Sequence, residues 1–362
     1  MRVLEKITIK NFKSIRDQTL QLGRLNVFIG GNGAGKSNLI QVFRFLREIF
    51  KKNLANYSLK RGVNSLLYFG RKKSSNVSFK FEFFEGDIAN VYEITLLPTD
   101  EGTFTVESEQ TCYHKKTEYA EPFCRLIGAG TREAVLADSK DKVAGYVRRD
   151  MVSYRVYHFH DTSDTALVKD ECPIDDNHFL RADAANLAAF LYVLQRKSPE
   201  HFQNIENIIR QIAPFFERFQ LEPSRLSAAK IRLEWKENGS DAYFNASALS
   251  DGTLRFMCLA TLLLQPDLPS VILLDEPELG LHPAAVTILA ELLESASTST
   301  QVMVATQSVT LVNQLEPEHV WTVDREDGAS VFRHLGREDM KDWLDNYALG
   351  ELWEKNIVGA RP

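Results

Sequence analysis

The residues with the clearest chemical potential are Gly30-Gly31-Asn32-Gly33-Ala34-Gly35-Lys36-Ser37, which fit the pattern G-x-x-x-x-G-K-[ST]. Glycines in such a loop let successive backbone N–H groups converge on phosphate oxygens, and the start of a following helix adds a favourable dipole. Gly30, Asn32, Gly33, Ala34, Gly35, Lys36, Ser37 and Asn38 are therefore expected to hold a nucleotide. Lys36 reaches the β- and γ-phosphates in that arrangement, and the Ser37 hydroxyl ligates Mg²⁺. A second element, VILLDEPE at 271–278, supplies acids at the end of an apolar run. Asp275 is the expected Mg²⁺ partner, and Glu276 the group that orients or deprotonates an attacking water. Alone, two acids could simply end a strand; with the phosphate loop they point to ATP hydrolysis.

The elements around these residues have the right character. LNVFIG runs apolar into the glycines, and NLIQVFRFLREIF places Leu39, Val42, Phe43, Leu46 and Ile49 or Phe50 on one helical face. Four aliphatics before Asp275 suit a central parallel strand buried on both faces, with the acid emerging at the carboxyl end where α/β sheets bind ligands. Upstream, LEKITIKNF turns Ile7 and Ile9 inward. Short alternating runs from about 77 to 160 predict mainly antiparallel sheet, and 185–220 reads as helices (ANLAAFLYVLQRK, FQNIENIIRQIAPFFERF) broken at Ser198-Pro199. From 230 the strand KIRLEWKE, an apolar helix, VILLD, another helix and VMVAT describe parallel α/β. The expected parts are 1–76 (N-terminal β and phosphate loop), 77–160 (antiparallel β), 161–229 (helical insertion), 230–335 (C-terminal ATPase lobe) and 336–362 (tail).

Composition limits the classes. The 362 residues hold 43 Lys+Arg against 49 Asp+Glu, a net charge of −6 that excludes a generally basic nucleic-acid coat. No apolar run approaches the roughly 20 residues of a membrane span, and the start MRVLEKITIK lacks a secretory pattern, so a cytoplasmic protein without membrane association is expected. Cys112, Cys124, Cys172 and Cys258 are widely spaced and read as reduced thiols. Charge is unevenly spread: residues 51–80 carry Lys51, Lys52, Lys60, Arg61, Arg71, Lys72, Lys73 and Lys80 with no acid, leaving a net −14 elsewhere. A solvated loop is one reading of that block. The other is a sequence-independent DNA phosphate contact through Arg71, Lys72 and Lys73.

A third motif, Leu249-Ser250-Asp251-Gly252-Thr253, heads an apolar helix 25 residues before Asp275, with Ser250 as its N-cap. Taken with Asn11-Phe12-Lys13-Ser14, Lys36-Ser37-Asn38, Asp275-Glu276-Pro277-Glu278-Leu279-Gly280-Leu281-His282-Pro283 and Ala305-Thr306-Gln307-Ser308, the sequence resembles the stand-alone SMC/RecF/OLD-like branch of the ABC-type ATPases, in the group often described as AAA-type. The resemblance implies an α/β P-loop NTPase of the ABC-ATPase head type, a mixed sheet with an antiparallel β subdomain and an inserted helical lobe. It further implies ATP and Mg²⁺ as cofactors and an ATP-dependent head-to-tail homodimer. Ser250, Asp251 and Gly252 of one chain would then face the γ-phosphate held by Lys36 and Ser37 of the other. Lys13 or Arg16 would touch nucleotide in the same chain, a solvated basic pair being the alternative, and Gln307 would be the switch residue.

Three departures matter. Gln307 stands where many relatives carry His, and an amide cannot take up a proton charge. The 54 residues after Ser308 are too few for a nuclease domain, and the 211 between Asn38 and Ser250 lack a coiled-coil pattern. The expected function is an ATPase acting in DNA repair, DNA surveillance or antiphage defence. The alternative is an ATP-gated regulatory subunit that holds a separately encoded effector, a nuclease or toxin. His158-x-His160 lacks further ligands and reads as a strand end. His282 serves either the helix starting at Pro283 or a dimer seam, and Trp343, Tyr347, Leu349, Leu352 and Trp353 are core or docking surface.

Overall fold

The alternation of apolar Ile7 and Ile9 with polar Lys6, Thr8 and Lys10 suits the first element to a half-buried strand. β1 (Val3–Phe12) and β2 (Ile15–Gln21) form a tight antiparallel pair with Ile7 opposite Leu20. The chain then enters β3 (Leu25–Ile29), buried throughout, and α1 (Lys36–Phe50), whose Leu39, Val42, Phe43, Leu46 and Ile49 are all buried as the spacing predicts. Short helices α2 (Leu54–Arg61) and α3 (Val63–Leu66) follow. β4 (Val77–Glu85), β5 (Ile88–Pro98), β6 (Phe104–Lys115) and β7 (Phe123–Thr131) complete an antiparallel sheet in the order β2-β1-β4-β5-β6-β7. Phe45 of α1 stacks on Phe12 at 5.7 Å and meets Phe79 at 6.0 Å and Phe104 at 6.1 Å, so an aromatic cluster fixes the helix to this sheet. α4 (Lys142–Val152), capped by the Asp141 carboxylate, was not foreseen in the β-rich stretch.

The computed structural model describes residues 2–337, 340, 343 and 346–361. They fall into two units, Met1–Tyr154 with Glu316–Pro362, and Arg155–Leu315.

In the second unit β8 (Arg155–Tyr157) leads through β9 (Cys172–Pro173) to α5 (Leu187–Lys197) and α6 (Pro199–Ile212), with Pro199 at the first turn of α6. The expected helix through FFERF is wrong. Pro214 cannot donate to a continuing helix, and Phe216–Gln220 forms β10 instead. β11 (Pro223–Ser224), β12 (Ser227–Ile231), β13 (Glu234–Glu237) and β14 (Tyr243–Asn245) make two small sheets, β10-β13-β14 and β11-β12-β9. α7 (Asp251–Leu264), β15 (Val271–Asp275), α8 (Pro283–Ser297), β16 (Gln301–Thr306) and α9 (Val309–Val312) then give the expected α/β alternation. β15 lies between β16 and β8, parallel to both.

Returning to the first unit, β17 (Val320–Glu326) pairs parallel with β3 and antiparallel with β18 (Ala329–His334). α10 (Leu349–Glu354) buries Leu349, Leu352 and Trp353, whereas Trp343 and Tyr347 are exposed. The expected tail, 336–362, includes positions 338, 339, 341, 342, 344, 345 and 362, which lie outside the described residues. No helix among the described residues is long and apolar enough to cross a membrane.

One cysteine expectation is overturned. Cys112 and Cys124 face each other across β6 and β7 with Cα atoms 4.0 Å apart and form a disulfide, while Cys172 and Cys258 are free and buried. Strand register brings the pair together, and register is not visible in their spacing.

Candidate nucleotide site

In the first unit the phosphate loop leaves β3 at Gly30 and enters α1 through Gly35, whose φ of 120° lies in the left-handed region. A Cβ at Gly35 would meet Ser330 Oγ at 2.0 Å and Ser14 Oγ at 2.9 Å. These serines buttress the loop: Ser14 Oγ and Ser330 Oγ are 2.6 Å apart, Asn38 Nδ2 donates to Ser14 Oγ at 2.7 Å, and Ser330 Oγ donates to the Ala34 carbonyl. Lys36 is buried, its Nζ donating to the carbonyls of Gly30 and, at 3.1 Å, Gly31. Gly33 accepts from Arg325 Nη1 at 3.4 Å.

A cavity of about 680 Å³ flanks the loop, lined in part by Lys13, Ser14, Asn38, Phe69, Arg71 and Lys72. Lys13 thus joins Asn38, whereas Arg16 lines a different cavity. Burial, with the Arg61 charge in addition, lowers the Lys13 pKa from the usual lysine value. The basic block is partly neutralised: Lys51 pairs with Glu48 (3.3 Å), Lys52 with Asp138, Lys80 with Glu82 (3.3 Å) and Arg71 with Asp100 (3.8 Å). Lys60, Arg61, Lys72 and Lys73 have no ion pair among the described residues.

In the second unit Asp275 ends β15, in register with Ala305 of β16. Glu276 follows with φ 46°, a left-handed backbone that is costly for a non-glycine residue and clusters at functional sites. Its N–H donates to the Ala305 carbonyl at 2.7 Å, and its Oε1 accepts from Gln307 Nε2 at 2.5 Å. Glu276 and Gln307 are therefore direct partners. Ser250 caps α7, accepting from the Thr253 N–H at 3.2 Å; Asp251 lies in the first turn. Gly252 permits close packing, since a Cβ there would lie 2.5 Å from the Gly280 carbonyl oxygen.

Two residues in this unit escaped the sequence reading. Arg255 is buried, donating from Nε to the Phe159 carbonyl at 2.9 Å and from Nη2 to the His160 carbonyl at 3.1 Å, so it ties α7 to the chain beyond β8. An arginine inside the apolar run LRFMCLATLLL was the available signal. Glu278 accepts at Oε1 from Thr306 Oγ1 and from the Gln307 N–H at 3.3 Å, while its Oε2 is shut off from solvent without a partner. Burial raises the Glu278 pKa above the usual glutamate value, and the Glu276 charge pushes the same way.

A carboxyl whose native pKa lies above its unfolded value stabilises fully below the unfolded pKa, near 4.5, and loses that contribution as pH rises through the native value. Glu278→Gln keeps the acceptor without the charge. The variant is expected to melt with the parent near pH 4 and increasingly above it toward about pH 8. A melting difference independent of pH, read by thermal denaturation across that range, would count against a buried neutral acid.

His282 caps α8, its Nδ1 accepting from the Ala284 N–H at 3.3 Å, ahead of Pro283 at the first turn. His158 and His160 follow β8, which ends at Tyr157, and no group of three His, Cys, Asp or Glu residues able to hold a metal occurs among the described residues.

Residues 25–313 match the family described as "AAA domain, putative AbiEii toxin, Type IV TA system". A DNA double-strand break repair Rad50 ATPase of Sulfolobus acidocaldarius is 30% identical over 151 residues, 38% of this chain and 16% of that protein, so the match spans about a sixth of the relative. Among solved structures, an Smc head bound to the C-terminal winged-helix domain of ScpA superposes with a TM-score of 0.61 at 18% identity, covering 94% of this chain and 99% of that one. An Smc head with an extended coiled coil, bound to the C-terminal domain of ScpA, from Pyrococcus furiosus gives 0.58 at 16% identity, covering 95% and 99%. At such identities the likeness establishes the fold. The chain belongs to the AAA-domain family of that description, and its fold is that of the Smc head domains.

Proposed function

We propose that this chain binds and hydrolyses ATP, pairs with a second copy while ATP is held, and uses the cycle to act on DNA in repair, surveillance or antiphage defence. The observation that carries the reading is Glu276 in a left-handed backbone with the Gln307 amide 2.5 Å from its carboxylate. A carboxylate held in one orientation by an amide is suited to orienting a water and accepting its proton. Lys36, Ser37 and the loop N–H groups would hold the phosphates, and the cavity lined by Lys13, Ser14 and Asn38 has room for the nucleoside end. Ser37 and Asp275 are the hard oxygen donors that Mg²⁺ takes, its other ligands normally being waters and phosphate oxygens. When bound, Mg²⁺ neutralises charge on the phosphates. Ser250, Asp251 and Gly252, at the N-terminus of the 14-residue α7, would face the γ-phosphate held by the second copy. ADP lacks that phosphate and would release the pair.

The DNA limb rests on Arg71, Lys72 and Lys73 together with the Rad50 relative. Replacing all three with Ala is expected to weaken duplex binding by roughly tenfold or more at low salt and to flatten its salt dependence by about 2–3 in the log–log slope. Unchanged duplex affinity in a titration at two salt concentrations would remove these residues from the interface. The family description, a toxin of a toxin–antitoxin system, favours a second reading in which ATP gates the hold on a separately encoded effector. ATPase activity indifferent to duplex DNA, with a protein partner co-purifying stoichiometrically, would select it.

A further inference from the structure

Beside the cavity that flanks the phosphate loop lies another, of about 460 Å³, lined by Asn11, Arg16, Tyr68, Phe69, Lys73 and Asp327. Phe69 lines both cavities and is 56% exposed, its ring edge-on to Tyr68 with centroids 4.7 Å apart. Gly328 makes room for it, since a Cβ there would lie 2.8 Å from the ring. Four non-glycine residues around the two cavities adopt left-handed backbone: Asn11 (φ 57°), Lys13 (51°), Phe69 (51°) and Asp327 (49°). Such conformations are unfavourable for ordinary side chains and persist where the surroundings enforce them, often at ligand sites. Arg16 and Lys73 have no ion pair among the described residues, and neither does Asp327.

We infer that this second cavity takes one unstacked nucleotide of a single-stranded DNA. Two unpaired cations supply phosphate contacts, and the Tyr68–Phe69 pair offers aromatic surface against which a base can stack. Asn11 and Asp327 supply an amide and an acceptor for base edges; a carboxylate accepts from an exocyclic amino group. The volume falls within the roughly 300–1,000 Å³ of small-ligand clefts, enough for one nucleotide. An intact duplex cannot present a base to such a cavity without flipping it out, whereas a single strand already offers splayed bases. The inference rests on the DNA reading above and shares Lys73 with it, but its test changes Arg16 and Tyr68, which the duplex test leaves untouched.

The test is fluorescence anisotropy of the full chain with a labelled oligothymidylate of about 12 nucleotides, with a duplex of equal length, and with a fluorescent ATP analogue, comparing the parent with Arg16→Ala/Tyr68→Leu. The expected result is at least about tenfold weaker single-strand binding, with duplex and ATP-analogue affinities within about twofold of the parent. Single-strand affinity that does not change, or a parent that does not bind the oligonucleotide, overturns the inference. So does a parallel loss of ATP-analogue binding, which would make the cavity part of the nucleotide site. If Arg71, Lys72 and Lys73 prove irrelevant to duplex while this variant loses single-strand binding, the duplex reading falls and the pocket stands.

Discussion

Glu276→Gln is expected to bind ATP normally, hydrolyse it about 10²-fold more slowly or less, and accumulate as ATP-bound dimers. The substitution is discriminating because of what it preserves. The amide keeps an oxygen that can accept from Gln307 Nε2, the main-chain bond to Ala305 is untouched, and the left-handed backbone at this position is already in place. Only the capacity to take a proton from water is removed. Single-turnover hydrolysis measured beside light scattering separates chemistry from association. Turnover like that of the parent would mean that the base lies elsewhere, and slow hydrolysis without dimers would detach the pairing step from the trapped nucleotide. The Gln307 partnership also gives the departure from histidine a physical content. An amide bonded to Glu276 can fix the acid's orientation yet cannot share a proton, so in the proposed hydrolysis Glu276 would be the only member of this pair able to change charge.

What was legible in the sequence had a local cause. The phosphate loop could be read because a run of small residues before Lys36 allows one kind of backbone path, and α1 because its apolar residues repeat at helical spacing. The acidic strand was legible because four aliphatics in a row admit few other positions. What stayed hidden depends on partners distant along the chain. Ser330 supports Gly35 from 295 residues away, through a contact that no spacing rule predicts. Arg255 meets the chain near Phe159 and His160, and the pairing of Cys112 with Cys124 follows from the register of β6 on β7. Glu278 looked like part of an acidic run, and its role as acceptor for the Thr306–Gln307 turn is set by tertiary folding.

The charge of the basic block was likewise only half visible. Its eight cations carry no acid within residues 51–80, but Glu48, Glu82, Asp100 and Asp138 fold back onto four of them. Lys60, Arg61, Lys72 and Lys73 keep no ion pair among the described residues; Lys13 and Arg325, from other segments, line the same cavity as Lys72, and Arg16 lines the one beside it with Lys73. Linear charge counts thus overstate the block and miss its recruits. A chain of net charge −6 thus still gathers several cations around two cavities of its first unit.

Gly35→Ala should all but abolish nucleotide binding, whereas Gly33→Ala should only weaken it. Both positions have left-handed backbone, φ 120° and 79° respectively, so each variant incurs strain of about 1–3 kcal/mol. They differ in what the new methyl meets. Nothing lies within 4 Å of a Cβ at Gly33, but one at Gly35 overlaps Ser330 Oγ at 2.0 Å and Ser330 Cβ at 2.8 Å. Overpacking of a well-filled site adds about 1–3 kcal/mol. Relief would require moving Ser330, which in turn releases Ser14, Asn38 and the Ala34 carbonyl from the network that shapes the loop. The combined penalty corresponds to a loss on the order of 10²-fold or more in ATP affinity for Gly35→Ala, against roughly tenfold for Gly33→Ala. Isothermal titration with a non-hydrolysable ATP analogue measures both, and the melting temperature without nucleotide reports whether the fold survives. Equal losses in the two variants would show that backbone strain, and not the serine buttress behind the loop, sets the fit of the phosphate cradle.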